Sequence, residues 1–407
     1  MKLATFGMAS AFVLAMAAQA GAQEMSAQER AHVMRLLRQT PLIDGHNDLP
    51  WTIRSDHGND LGALDLMSDT RRLDKPMHTD LPRMREGGVG GQFWSVYVPA
   101  ALQGLESHKT VLEQIDLVRR MVGRYPDRLE MAVTADDVVR IHRQGKIASL
   151  LGIEGGEAIA GNLALLREFR ASGVGYMTLT HSKNNAWVDS ATDAPQHGGL
   201  SPFGEDVVRE MNKVGMLVDL SHVSAEAMRD AIRVSRAPVI FSHSSALAID
   251  PHPRNVPDDV LRLLPANGGV VMVNFYSTFV SPDYLQWASR RKGEEERLKF
   301  LNPGDPEAVK TALATWVSAN PAPVVPLSIV ADHIDHIRQV AGVDHVGIGS
   351  DYDGVDALPV GLDGVEDYPA LLAELIRRGW SDRDIRKLAG ENVLRAMRRA
   401  EEVARRS

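Results

Sequence analysis

The sequence predicts an α/β protein built as one (β/α)8 TIM-type barrel. Two observations carry that expectation. Eight short apolar runs are separated mostly by amphipathic stretches with helical spacing. Ionisable residues follow immediately after six of those runs, the end of a barrel strand where chemistry is kept. A doubly wound open sheet fits less well, because no glycine-rich phosphate loop follows the first run.

The expected strands are Leu42–His46, Gly91–Val98, Ile147–Ile153, Tyr176–Thr180, Met216–Leu220, Val239–Ser242, Gly269–Phe275 and His345–Gly349. Near-continuous apolar strands with helices between them indicate a parallel sheet buried on both faces. Asn162–Ser172 sets Leu163, Leu166 and Phe169 on one helical face, and Gly204–Val214, Ala225–Val234 and Leu327–Val340 repeat the pattern. Ser224, just before Ala225 and Glu226, is placed as an N-cap. Three parts decorate the barrel: an N-terminal helix over Ser26–Arg38, a charged helical insertion at 281–322 after the seventh strand, and C-terminal helices within Asp367–Ala404. There is no internal repeat, so residues 23–407 are expected to form a single domain.

The first 22 residues read as an address. Lys2 is followed by an uncharged stretch to Gln23, with small-x-small sites at Ala18-Gln-Ala20 and Ala20-Gly-Ala22. This is the pattern of a secretory signal peptide cut after Ala20 or Ala22, which implies export, to the periplasm in a bacterium. No later run is long and apolar enough for a membrane anchor.

Composition narrows the chemistry. The 407 residues contain no cysteine. That excludes disulfides, a thiol nucleophile and thiolate metal sites, so a metal must be held by His, Asp and Glu. A net charge of −8 argues against a nucleic-acid surface.

The strand ends supply such a set: His46 and Asp48 after the first strand, Glu154 after the third, His181, His222 and His243 after the fourth to sixth, and Asp351 after the eighth. His46 and Asp48 are two apart and share a face of an extended chain. Gathering imidazoles and carboxylates at one barrel end is costly without a counter-charge, and a cation removes that cost. His46, Asp48, Glu154, His222 and His243 are five suitable ligands. Five exceed the three a single catalytic zinc takes, so two metals sharing a carboxylate fit better.

Asp44-Gly-His-Asn-Asp48-Leu-Pro, Gly152-Ile-Glu-Gly-Gly156, Leu179-Thr-His-Ser-Lys-Asn-Asn-Ala-Trp187, Asp219-Leu-Ser-His-Val-Ser224, Phe241-Ser-His-Ser-Ser-Ala246, Arg254-Asn-Val-Pro-Asp258 and Gly347-Ile-Gly-Ser-Asp-Tyr-Asp-Gly354 together resemble the renal (membrane) dipeptidase family of zinc peptidases, within the amidohydrolase-like barrels. The resemblance spans Pro41 to Glu391. It implies two Zn2+ per chain, one on His46 and Asp48, the other on His222 and His243, with Glu154 bridging. It implies substrate contacts from His181 and Arg254, and an acidic Asp351 beside the bridging water. It further implies dipeptide substrates, including some with a C-terminal D-residue, and a homodimer. The chain departs from the mammalian members in lacking their cysteines and lipid-anchor signal.

On this reading a metal-bridging hydroxide attacks the scissile carbonyl, His181 stabilises the oxyanion, Asp351 moves the proton, and Arg254 grips the free carboxylate. The competing readings are a related amidohydrolase acting on β-lactams, N-acyl amino acids or lactones, and a non-catalytic binding protein. Several residues compete for attention. His333 and His336 fall on a helix outside the barrel and are assigned to packing or surface. Asp353 is assigned to a cap or turn and Asp219 to buttressing a ligand or the strand end. His252, two residues before Arg254, is a lesser candidate for the pocket border, whereas Trp187 and Tyr276 suit cleft or core equally. The Arg291–Arg297 run is a solvated face.

Overall fold

A computed structural model describes Met25–Ser407; the expected leader lies outside the described residues. Nine strands occur among them: β1 (Leu42–Asn47), β2 (Val89–Tyr97), β3 (Leu129–Met131), β4 (Ile147–Glu154), β5 (Val174–Thr178), β6 (Leu217–Asp219), β7 (Ile240–Phe241), β8 (Val270–Val273) and β9 (Val346–Ile348). Eight close into a parallel barrel in the order β1, β2, β4, β5, β6, β7, β8, β9, with β9 pairing back onto β1. All eight expected strands are present. The ninth, β3, adds a three-residue pairing to the start of β4; Leu-Glu-Met is too short to show a period.

Alternation along each strand explains the apolar runs. Ile43, Phe93, Leu150, Tyr176, Ile240, Val270 and Met272 form one buried cluster with Val138, Ile141, Val393 and Met397. They fill the barrel and its lower end, where helices Ala135–Arg143 and Asn392–Arg406 contribute. Their neighbours Leu42, Trp94, Leu151, Met177 and Val271 belong to the other cluster, which includes the surrounding helices. Both faces of the sheet are therefore dry.

The helices begin where capping chemistry allows. Ser26 and Glu29 form a reciprocal capping box at the head of Ala27–Gln39. Ser224 accepts from the Ala227 amide and starts Ala225–Val234. The insertion after β8 is a helical hairpin, Pro282–Leu301 and Pro306–Ala319, each with proline in its first turn. Tyr368–Arg377 and Asn392–Arg406 complete the C-terminal part. No described helix is long and apolar enough to cross a membrane.

A buried carboxylate closes the seam between the first and last strands. Asp44 is fully buried and accepts from the Ser350 amide (2.7 Å), Ser350 Oγ (2.8 Å), Gln92 Nε2 (2.9 Å) and Tyr368 Oη (2.8 Å). It thus joins β1 to β2, to the chain after β9 and to the Tyr368–Arg377 helix. Burial raises its pKa while these donors oppose the rise. Asp44→Ala would strand several buried donors, and we expect a loss of about 3–5 kcal/mol, read as a lower urea midpoint at unchanged m-value.

Candidate metal centre

Parallel closure puts the C-terminal ends of all eight strands on one face. His46 lies in β1 and Glu154 ends β4, while His181, His222, His243 and Asp351 follow β5, β6, β7 and β9 within three residues. The register holds them level, because Glu154 pairs with Tyr97 of β2 on one side and Thr178 of β5 on the other. His222 and Asp351 sit in the left-handed region, with φ of 71° and 68°. Non-glycine residues there cost energy and persist where the surroundings over-determine them.

The side chains converge on the two oxygens of Glu154. Oε2 lies 3.4 Å from His46 Nε2, which is also 3.2 Å from Asp48 Oδ2. Oε1 lies 2.9 Å from His222 Nε2 and 3.4 Å from His243 Nε2. His181 Nε2 is further out, 3.9 Å from the same oxygen. Three overlapping groups have ligand atoms within 4.8 Å of one another: His46, Glu154 and His243; Glu154, His181 and His222; His46, Asp48 and Asp351.

This donor set fits cations. The Nε2 atoms of His222 and His243 are 2.9 Å apart, and burial holds both imidazoles well below their usual pKa. Burial opposes the charge on Glu154, yet the imidazoles, His46 first, keep its carboxyl well below the carboxylate range. His46 is buried too, but the charges around it, Glu154 and Asp48 among them, push it well above its usual value. The two carboxylates therefore demand a positive charge where His46 points. Neutral for His222 and His243 and ionised for Glu154 are the forms in which such residues bind metals, a cation can replace the proton that His46 holds, and a carboxylate with one oxygen toward each side suits a shared position.

The outer contacts sort the remaining residues. Asp219 accepts from Ser242 Oγ at 2.6 Å, and that hydroxyl meets His243 Nδ1 at 2.8 Å, so Asp219 buttresses His243 through a serine. Asn274, which sequence reasoning did not single out, donates to Asp351 Oδ2 at 2.8 Å. Burial, with Asp48 and Glu154 adding and His46 opposing, pushes Asp351 up to about 7. A β-carbon on Gly354 would overlap the Asp48 carboxylate and crowd Asp351, so only glycine leaves both acids their place.

A cavity of about 350 Å3 opens above these groups, walled by Trp51, Tyr97, Tyr276 and Phe279 as well as Asp351 and His181. Tyr276 is a cleft residue; Trp187 is 2% exposed and packs near Phe203 in the core. Arg254 lies deeper than its assignment suggests. It is 2% exposed, it donates to Ser244 Oγ and the His243 carbonyl, and its guanidinium sits 5.3 Å from the Phe279 ring. His252 packs on the same ring, 4.4 Å between centroids. His333 is buried, accepting from the Ala246 amide, and His336 pairs with Asp258; neither joins the site. Asp353 accepts from the His78 amide and also reaches the cavity wall.

A family model described as membrane dipeptidase (peptidase family M19) matches residues 30–407. The chain is 41% identical over 382 residues to the dipeptidase verJ of Clonostachys rogersoniana, covering 91% of this chain and 87% of that protein. A metallopeptidase from Rhodobacter sphaeroides, solved with a phosphinate mimic of the dipeptide L-Ala-D-Ala, aligns with a TM-score of 0.71 at 26% identity, covering 89% of this chain and 99% of that one. The probable dipeptidase PvdM of Pseudomonas aeruginosa aligns over 93% of this chain and all of its own with a TM-score of 0.78. At 24% identity it shares the fold.

Two outcomes follow from the electrostatics. Stripping metal with a chelator should lower the melting temperature, and zinc at 1,000 times its dissociation constant should restore about 4 kcal/mol. The second concerns Glu157, beyond β4, whose carboxyl oxygens are buried without hydrogen-bond partners and whose pKa burial pushes from 4.5 up to about 7. The folded state then holds a proton that the unfolded chain loses first, so stability falls as pH rises from 4.5 to 7. The loss is on the order of 3 kcal/mol. Glu157→Gln should flatten that slope in urea titrations and be the more stable protein at pH 8.

Proposed function

The chain belongs to the membrane dipeptidase family, peptidase family M19, and on that premise we propose that it is an exported di-zinc dipeptidase. It is a metallopeptidase of the membrane dipeptidase type. The observation that carries the finer reading is the division of the Glu154 carboxylate, one oxygen toward His46 and the other toward His222 and His243, in the lining of the cavity. His46 and Asp48 would hold one zinc, His222 and His243 the other, with Glu154 serving both. When bound, the pair supplies Lewis acidity toward the scissile carbonyl and a water acidified into the neutral range.

The protein's own groups do the rest. Asp351, anchored through Oδ2 by Asn274, takes the water's proton on its other oxygen and returns it to the leaving amine. His181, whose pKa burial lowers, donates a hydrogen bond to the developing oxyanion. Arg254, set against Ser244 and the His243 carbonyl, receives the substrate's free carboxylate, which restricts the site to short peptides. The relative solved with an L-Ala-D-Ala mimic supports extending the substrate range to a C-terminal D-residue.

Residues 1–22 act as a signal peptide in this reading, residues 23–407 form one barrel domain, and the mature enzyme is periplasmic and homodimeric. Rates on zinc-loaded protein across L,L- and L,D-dipeptides test the substrate class. Cleavage of β-lactams, N-acyl amino acids or lactones in preference to every dipeptide would overturn it. Asp351→Asn should lower kcat roughly 100- to 10,000-fold with two zincs retained; loss of zinc would make Asp351 a ligand. Arg254→Ala should raise KM for dipeptides, and unchanged kinetics would remove it from the substrate site.

A further inference from the structure

Tyr176 of β5 points into the barrel and is fully buried. Its Oη lies 2.9 Å from His46 Nδ1 and 3.0 Å from the Gly45 carbonyl oxygen. A phenol has one proton, and a carbonyl can only accept. The proton therefore goes to Gly45, and Oη is left to accept from His46 Nδ1–H. That keeps the proton on Nδ1 and makes Nε2 the nitrogen whose lone pair a metal would take. Nε2 is buried, has no hydrogen-bond partner, and faces Asp48 Oδ2 and Glu154 Oε2 at 3.2 and 3.4 Å. The phenol thus prepares the nitrogen that faces the two carboxylates.

The phenol has its place because residue 152 is glycine. Gly152 of β4 is the register partner of Tyr176, and a β-carbon there would fall inside the phenol ring, against Cζ and both Cε atoms. Phe93 packs near the ring at 5.0 Å between centroids. His243 is supported differently, through Ser242 to the Asp219 carboxylate. One imidazole leans on a neutral phenol and the other on a relay that ends in an acid.

We propose that Tyr176 is the positioning residue of the metal position built on His46 and Asp48, that it holds His46 in the Nδ1–H tautomer, and that Gly152 is the residue that admits it. This rests on the reading of His46 as a ligand. Outer hydrogen-bond partners of ligating histidines carry roughly 10- to 100-fold in metal affinity.

The test is zinc affinity by chelator competition, alongside the d–d spectrum of cobalt-substituted protein. Tyr176→Phe keeps the ring and removes the bond. One of the two zinc affinities should weaken roughly 10- to 100-fold with the other unchanged, the cobalt spectrum should shift, and excess zinc should recover kcat. Gly152→Ala should reproduce this by displacing the ring. His46→Ala separates the two layers of the argument. If it loses zinc while Tyr176→Phe retains both affinities within twofold, the positioning role is wrong; if His46→Ala also binds two zincs normally, the ligand reading is wrong. Should either barrel variant fail to fold, the wild-type enzyme still decides. In zinc-loaded protein with 15N-labelled histidine, His46 should carry its proton on Nδ1, and a proton on Nε2 overturns the proposal.

Discussion

The site is arranged around one carboxylate whose two oxygens face imidazoles from different strands. Glu154 can meet them only if those strands end at one height. A closed parallel barrel meets that demand, since its strands end on a common face. The pairing of Glu154 with Tyr97 and with Thr178 sets the level, and the packed interior of Ile43, Leu150, Tyr176 and Met272 keeps it rigid. The left-handed turns at His222 and Asp351 aim side chains back over the barrel mouth, and the buried networks around Asp44 and Asp219 absorb the resulting strain.

The parts of this design that were legible in the sequence share one property: cause and signal lie within a few residues. An apolar run followed at once by His or Glu announces both a strand and its functional end, so the barrel and the convergence of His46, Asp48, Glu154, His222 and His243 could be anticipated. Ser224 as a cap is equally local. What was not legible depends on distance through space. Asn274 reaches Asp351 across 77 residues, and Tyr176 reaches His46 across 130; neither spacing has a periodic signature. Gly152 looks like an ordinary small residue until its register partner is known. Arg254 was placed by motif, but its depth beneath Phe279 is a matter of packing.

The two kinds of support around the site suggest a division of labour. Carboxylates carry the outermost layer at His243, whereas a phenol and a backbone carbonyl carry it at His46. An acid behind an imidazole strengthens its donor character more than a neutral hydroxyl does. The imidazoles of His46 and His243 thus differ in electronic character although both face the Glu154 carboxylate. Asp351, grouped with His46 and Asp48, lies on the side with the neutral support.

The seam between β1 and β9 also has a consequence in time. His46 stands near the beginning of the chain and Asp351 near its end, yet the Asp351 amide donates to the His46 carbonyl at 3.1 Å. Joining strands so distant in sequence closes the longest loop of any strand pair in the barrel. Asp351 therefore comes beside His46 and Asp48 only when β9 docks on β1. A growing polypeptide carries His46 and Asp48 from its first strand onward, and the acid that completes their cluster arrives only with the last.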